Sequence, residues 1–138
     1  MEWVFGEYRI NNDKSFLSIQ KIKVLLDKSY WGSQRSLETI GIAIKNSDCF
    51  GIYFDKEQVG FARVVSDKAT MFWLCDVIID ERHRGKELGK KLVKCILESE
   101  EYKDLRGILA TRDAHGLYEK YGFEKAETGR FMIRPQYQ

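Results

Sequence analysis

The chain contains the segment Arg82-His-Arg-Gly-Lys-Glu-Leu-Gly-Lys-Lys-Leu, a basic turn with two glycines between a strongly apolar run and an amphipathic one. The first turn of a helix leaves about four backbone N–H groups without intrahelical partners, and the helix dipole adds positive potential there. Such a start attracts phosphate. Gly85 would let the backbone approach a ligand, Gly89 would remove a side chain from the first turn, and Arg82, Arg84 and Lys86 could neutralise a diphosphate. A solvated basic helix start is the plain alternative. Neither a P-loop nor a dinucleotide fingerprint is present, since Gly-x-x-x-x-Gly-Lys-Ser/Thr and Gly-x-Gly-x-x-Gly do not occur.

Asp76 interrupts the apolar run from Met71 to Ile79. A carboxylate in mid-strand is costly to bury unless it is paired or useful. It reads either as an outward-facing or salt-bridged strand residue, or as a general base, acting directly or through water, or an anchor for a cationic amine. Arg63 and Arg112 are candidate partners, and either could equally bind a substrate carboxylate. His115 could face an acceptor pocket or lie on a helix surface. The three cysteines, Cys49, Cys75 and Cys95, stand 26 and 20 residues apart with no Cys-x-x-Cys pair. That spacing argues against zinc and against a disulfide framework, and they read as small buried hydrophobes in a reducing compartment. No metal is expected.

Several elements must position these groups. Apolar residues recur at helical spacing over residues 16–28, and a second helix begins at Ser36, a candidate cap, with Ile40, Ala43 and Ile44 inward. Three β-rich runs follow, 49–54, 59–65 and 70–79, split by polar turns, which predicts an antiparallel meander. Leu88, Leu92 and Ile96 mark one buried stripe on a helix over 86–98. A strand over 107–111, a short helix over 114–121 closed by Gly122, and a terminal strand over 131–133 complete the order, with Tyr8-Arg-Ile starting the sheet. This is a mixed α/β or α+β domain.

Two of these segments together resemble one family. Arg84-Gly-Lys-Glu-Leu-Gly after the strand Asp76-Val-Ile-Ile, followed about thirty residues on by Ala114-His-Gly-Leu-Tyr-Glu-Lys-Tyr-Gly-Phe, is similar to the GNAT superfamily of acetyl-CoA-dependent N-acetyltransferases. The resemblance implies a twisted, mostly antiparallel sheet flanked by about four helices. It implies acetyl-CoA as co-substrate, held by Arg84, Gly85, Lys86, Glu87, Leu88 and Gly89. The family pattern Arg/Gln-x-x-Gly-x-Gly/Ala places Glu87 where its first glycine stands. The pantetheine arm would lie between Val77, Ile78 and Ile79 and the strand Ile108-Leu-Ala-Thr. Tyr118 matches the tyrosine that lies near the CoA sulfur and often acts as general acid. Thr111 stands where an asparagine is common, and His83 where an aromatic is common. Trp31 and Arg35 fall in a region that lines the acceptor side. The implied reaction is direct acetyl transfer to a primary amine in a ternary complex. A non-catalytic CoA-binding or regulatory domain of the same fold is the alternative.

Size and charge bound these readings. A chain of 138 residues fits one domain over 1–138. A net charge of +2 gives no bulk attraction to nucleic acid. No run approaches the ~20 apolar residues of a membrane span, and the first residues lack the basic start of a signal peptide. A cytoplasmic protein acting on a small-molecule or peptide amine is expected, with no nucleic-acid or membrane partner and with a homodimer left open.

Overall fold

The computed structural model describes residues 1–136. The elements run β1 (Glu2–Phe5), β2 (Tyr8–Asn11), α1 (Ile19–Asp27), α2 (Leu37–Lys45), β3 (Asp48–Phe54), β4 (Glu57–Ser66), β5 (Met71–Ile79), α3 (Leu88–Glu98), β6 (Arg106–Ile108) and α4 (His115–Glu119). The β-rich runs form the expected meander. Asp55 and Lys56, at φ 47° and 69°, make a two-residue turn whose twist suits the β3–β4 hairpin. The six strands lie in the order β1-β2-β3-β4-β5-β6, antiparallel except for the parallel β5–β6 pair.

Each face of this mixed α+β sheet carries its own apolar cluster. The stripe predicted on α3 packs Leu88, Leu92, Val93 and Ile96 against Ile10, Ile52, Val64 and Phe72. On the other face, Ile22, Leu25 and Leu26 of α1 and Ile40 and Ile44 of α2 cover Cys49, Phe61 and Ile78. Both helices start at serines: Ser18 accepts from the Lys21 amide and Ser36 from the Thr39 amide, each 3.1 Å away.

Two features of β5 shape the site. It pairs with β6 only at Met71, Phe72 and Trp73, so residues 74–79 have no β6 partner on that side. The pairing requires a glycine, because a Cβ on Gly107 would run into the Phe72 ring. The β4–β5 register also slips between Phe61↔Ile78 and Arg63↔Cys75, so that Ala62 stands opposite both Asp76 and Val77. Asp76 takes φ 53° at this bulge. Phe72 and Leu74 face the α3 side before it, and Val77 and Ile79 do so after it. One inserted residue thus reverses the alternation.

Some boundaries differ from expectation. The first helix begins at Ile19, after a 3-10 turn over Lys14–Phe16, and α3 begins at Leu88. The hairpin strand β1 was not anticipated. The terminal strand expected over 131–133 does not form: Phe131, Met132 and Ile133 lie outside any strand, at 48%, 95% and 88% exposure. Three apolar residues make a strand only where a neighbour supplies a ladder. Gly129 at φ 82° and Pro135 bracket them closely.

Candidate active site

The turn between β5 and α3 is built by Asp80. Its carboxylate accepts from the Arg82 amide at 3.0 Å and binds Lys21 Nζ at 2.8 Å and Arg82 Nη2 at 3.0 Å. Arg82 also reaches Glu57 at 3.1 Å, so its charge is compensated within the protein. Arg84 Nε donates to the Ile79 carbonyl at 3.2 Å, bracing the end of β5. Gly85 sits at φ 82°, where a side chain is strained, and nothing lies within 4 Å of where a Cβ would stand on Gly85 or Gly89.

Glu87 is the N-cap of α3 and has φ 60°, the left-handed conformation that favours glycine. Its carboxylate makes no capping bond and instead meets Lys90 Nζ at 3.3 Å on the exposed surface. The departure from the family pattern thus keeps the backbone shape and sends the charge outward. Lys86 lies with Nζ 5.7 Å from the Tyr8 ring centroid. Tyr8 Oη and His83 Nδ1 are 2.9 Å apart, and His83 packs on Tyr8 and Phe54. The sequence marked Tyr8 only as the start of the sheet, because His83, its hydrogen-bond partner, lies 75 residues away.

At the β5 bulge, Asp76 is 7% exposed and fully engaged. Oδ1 accepts from Trp31 Nε1 at 2.9 Å, and Oδ2 from Arg35 Nη1 at 2.7 Å and Arg63 Nε at 2.9 Å. Arg63 also donates to Ser47 Oγ at 3.0 Å. Four sequence-derived candidates, Asp76, Trp31, Arg35 and Arg63, therefore form one cluster. Arg112 joins it through Tyr30, the neighbour of Trp31 in the same aromatic segment. The Arg112 guanidinium lies 3.8 Å over the Tyr30 ring, the Arg112 amide donates to Tyr30 Oη at 3.2 Å, and the Tyr30 and Trp31 rings meet edge to face at 5.0 Å. The α1–α2 connection is thus pinned to β5 through Asp76 and to the segment after β6 through Arg112.

Thr111, His115 and Tyr118 form a second group, lining a cleft of about 670 Å³ beside β6. Thr111 Oγ1 accepts from the Ala114 amide at 3.0 Å at the start of α4. Tyr118 packs edge to face on Phe123 with centroids 6.0 Å apart. Burial, followed by the charges of Tyr30 and Asp113, pushes the Tyr118 hydroxyl up to about 12, so it stays protonated through the neutral range. Burial likewise pushes the Cys49 and Cys95 thiols up to about 11 and raises Cys75. Such thiols are poor nucleophiles. Among the described residues no cluster of His, Cys, Asp and Glu fits a metal ion, and no helix is long and apolar enough to cross a membrane.

The open β5 edge leading into a glycine turn and a helix start is the arrangement that the resemblance to acyl-CoA-dependent transferases implies, and comparison with known proteins supports that class. The Acetyltransferase (GNAT) domain family matches residues 45–125. A solved GNAT-family protein of Xanthomonas campestris is 34% identical, with a TM-score of 0.89 over 97% of this chain and 96% of that one. The spermine/spermidine N(1)-acetyltransferase of Bacillus subtilis is 34% identical over 87 residues, 54% of this chain and 57% of that enzyme. A GNAT acetyltransferase of Elizabethkingia anophelis, solved with acetyl-CoA bound, shares the fold at 18% identity, with a TM-score of 0.64 over 89% of this chain and 80% of that one. The chain belongs to the GNAT acetyltransferase family. It spans 57% to 79% of the length of three curated relatives.

Proposed function

We propose that the chain, as one acetyltransferase domain over residues 1–138, moves an acetyl group from acetyl-CoA to a primary amine by direct transfer in a ternary complex. The observation that carries this reading is the unpaired β5 edge beyond Trp73, running into the Gly85 turn and the start of α3. The open space at Gly85 and Gly89 fits a pyrophosphate held by the free amides of that start, with Arg84 and Lys86 supplying charge and Leu88 anchoring the turn in the core. Val77, Ile78 and Ile79 offer backbone donors and acceptors to an extended amide-bearing arm, much as a strand would. Thr111 orders the start of α4, which carries Tyr118.

Acetyl-CoA supplies the activated thioester. The acceptor amine, protonated near pKa 10 in water, must lose a proton to attack. Tyr118 holds a proton at its hydroxyl and donates a hydrogen bond where the thiolate develops. Asp76, already engaged by Trp31, Arg35 and Arg63, shapes the acceptor side by fixing the α1–α2 connection, and water takes the amine proton. The high thiol pKa values of the three cysteines favour direct transfer over an acetyl-cysteine relay. The name of the Bacillus subtilis relative puts polyamines among the acceptors to test.

The binding half of the proposal is tested by thermal unfolding with acetyl-CoA. At ~100 times its dissociation constant the ligand contributes about 2.7 kcal/mol to stability. Wild type should show the corresponding rise in Tm and Gly85→Asp should not. Absence of any shift in wild type at millimolar acetyl-CoA would reject the reading.

A further inference from the structure

We propose that the acceptor is an amine that also carries an acid group, a carboxylate or a phosphate, bound by Arg112 and Arg35 with Arg63 behind them. This rests on the transfer reading above and goes on to name the substrate class.

The argument begins with unequal charges. Arg35 and Arg63 share a single carboxylate oxygen, Oδ2 of Asp76, at 2.7 and 2.9 Å. Arg35 uses only Nη1 for it and keeps 28% of its side chain exposed, while Arg63 is 15% exposed and spends Nη1 on the neutral Ser47 hydroxyl. Arg112 is exposed and makes no ion pair among the described residues. Its guanidinium carbon lies 3.8 Å from the Tyr30 ring centroid, and its N–H groups make no side-chain hydrogen bond among the described residues. A guanidinium stacked on an aromatic ring with N–H groups to spare suits the two oxygens of a carboxylate or phosphate.

The placement completes the case. The Tyr30–Trp31 pair spans from Asp76 on β5 to Arg112 after β6, so Arg35 and Arg112 stand at the two ends of one aromatic bridge between the strands that separate beyond Trp73. Of the three arginines only Arg35 and Arg63 meet a carboxylate, and they share it. An acid group on the substrate supplies the negative charge that Arg112 lacks and leaves the amine free to reach the thioester. A diamine or polyamine would bring its second ammonium against the arginines.

Two pairs of amines, each differing by one group, test this under steady-state conditions with acetyl-CoA. They are lysine against cadaverine, which lacks only the carboxylate, and glucosamine 6-phosphate against glucosamine. The acid-bearing member of at least one pair should have kcat/KM higher by at least about tenfold, and the pair that shows it distinguishes carboxylate from phosphate. Arg112→Gln should shrink that ratio about fivefold or more, and Arg112→Lys should restore part of it, which loss of packing alone would not do. Cadaverine and glucosamine used as well as or better than their acid-bearing partners would overturn the acid-group inference and leave the transfer reading standing. A ratio unmoved in Arg112→Gln would remove Arg112 from the site. Acetyl-CoA binding without turnover of any of the four amines would overturn the transfer reading and this inference together.

Discussion

Trp31 and Asp76, forty-five residues apart in sequence, are joined by a hydrogen bond of 2.9 Å from the indole Nε1 to Oδ1. With Arg35 and Arg63 on Oδ2, it satisfies a carboxylate buried at a strained point of β5 and fixes the α1–α2 connection to that strand. Asp76→Asn should cost about 2 kcal/mol in chemical denaturation, less than the roughly 3–5 kcal/mol of a fully buried broken pair because both arginines keep some water contact. The pH dependence of kcat/KM should keep its wild-type shape, since both oxygens already serve the fold. An optimum moved upward in Asp76→Asn would instead make Asp76 the base.

Glu87 offers a test of backbone strain with an unusual sign. A glutamate at φ 60° sits in a conformation that costs L-residues roughly 1–2 kcal/mol, while glycine adopts it freely at an entropic cost of roughly 0.5–1 kcal/mol. Glu87→Gly should therefore be neutral or up to about 1 kcal/mol more stable. Acetyl-CoA affinity should change by less than about tenfold, because the carboxylate points to Lys90. Calorimetric titration and denaturant unfolding read both quantities. A loss of affinity of ~100-fold would mean that the carboxylate itself touches the ligand.

The α3 stripe of Leu88, Leu92 and Ile96, the meander, the Ser36 cap and the glycine turn were all legible in the sequence, because each is written in local spacing. The register slip at Asp76 was not. A bulge reverses which residues face inward, and within a run as apolar as Met71 to Ile79 there is little polar alternation to reveal it. Arg63 was already a candidate partner of Asp76, and it stands next to it across the β4–β5 ladder, opposite Cys75; Arg112, the other candidate, meets Tyr30 instead. The roles of Trp31 and Arg35 rested on family resemblance, since no local pattern specifies contacts made over forty residues. Phe131, Met132 and Ile133 misled for the opposite reason: their residue types suit a strand, yet no neighbouring ladder accepts them.

Asp80 predicts an acid-dependent stability. Its hydrogen bond from Arg82, and then that from Lys21 against the opposing cost of burial, hold its carboxyl well below the usual range. A depressed folded-state value contributes stability that is fully present above the unfolded value of about 3.9 and fades as pH falls below it. Asp80→Asn should lose about 1.5–3 kcal/mol at pH 7, and its difference from wild type should narrow as the pH drops below about 4. Denaturant midpoints measured across that range will show it. A gap that stays constant with pH would mean that the lost contacts are steric rather than ionic.

For Tyr118, burial keeps the hydroxyl protonated, with its pKa pushed up to about 12. Tyr118→Phe preserves the ring and its contact with Phe123 while removing the donor. Turnover should fall by roughly 10²–10⁴ with acetyl-CoA affinity nearly unchanged. The wild-type rate should show no alkaline decline attributable to this hydroxyl at neutral or mildly basic pH. Wild-type turnover in Tyr118→Phe would assign the proton to water.

The most direct test of the central claim is a set of initial rates with acetyl-CoA and an acid-bearing amine both varied, following CoA release and the acetylated amine. Direct transfer by a protein whose cysteine thiols are all raised by burial predicts intersecting double-reciprocal lines, equal yields of CoA and acetylated amine, and no acetylated protein after acetyl-CoA alone. Parallel lines with an isolable acetyl-enzyme, or CoA binding with no acetylated amine formed, would contradict it.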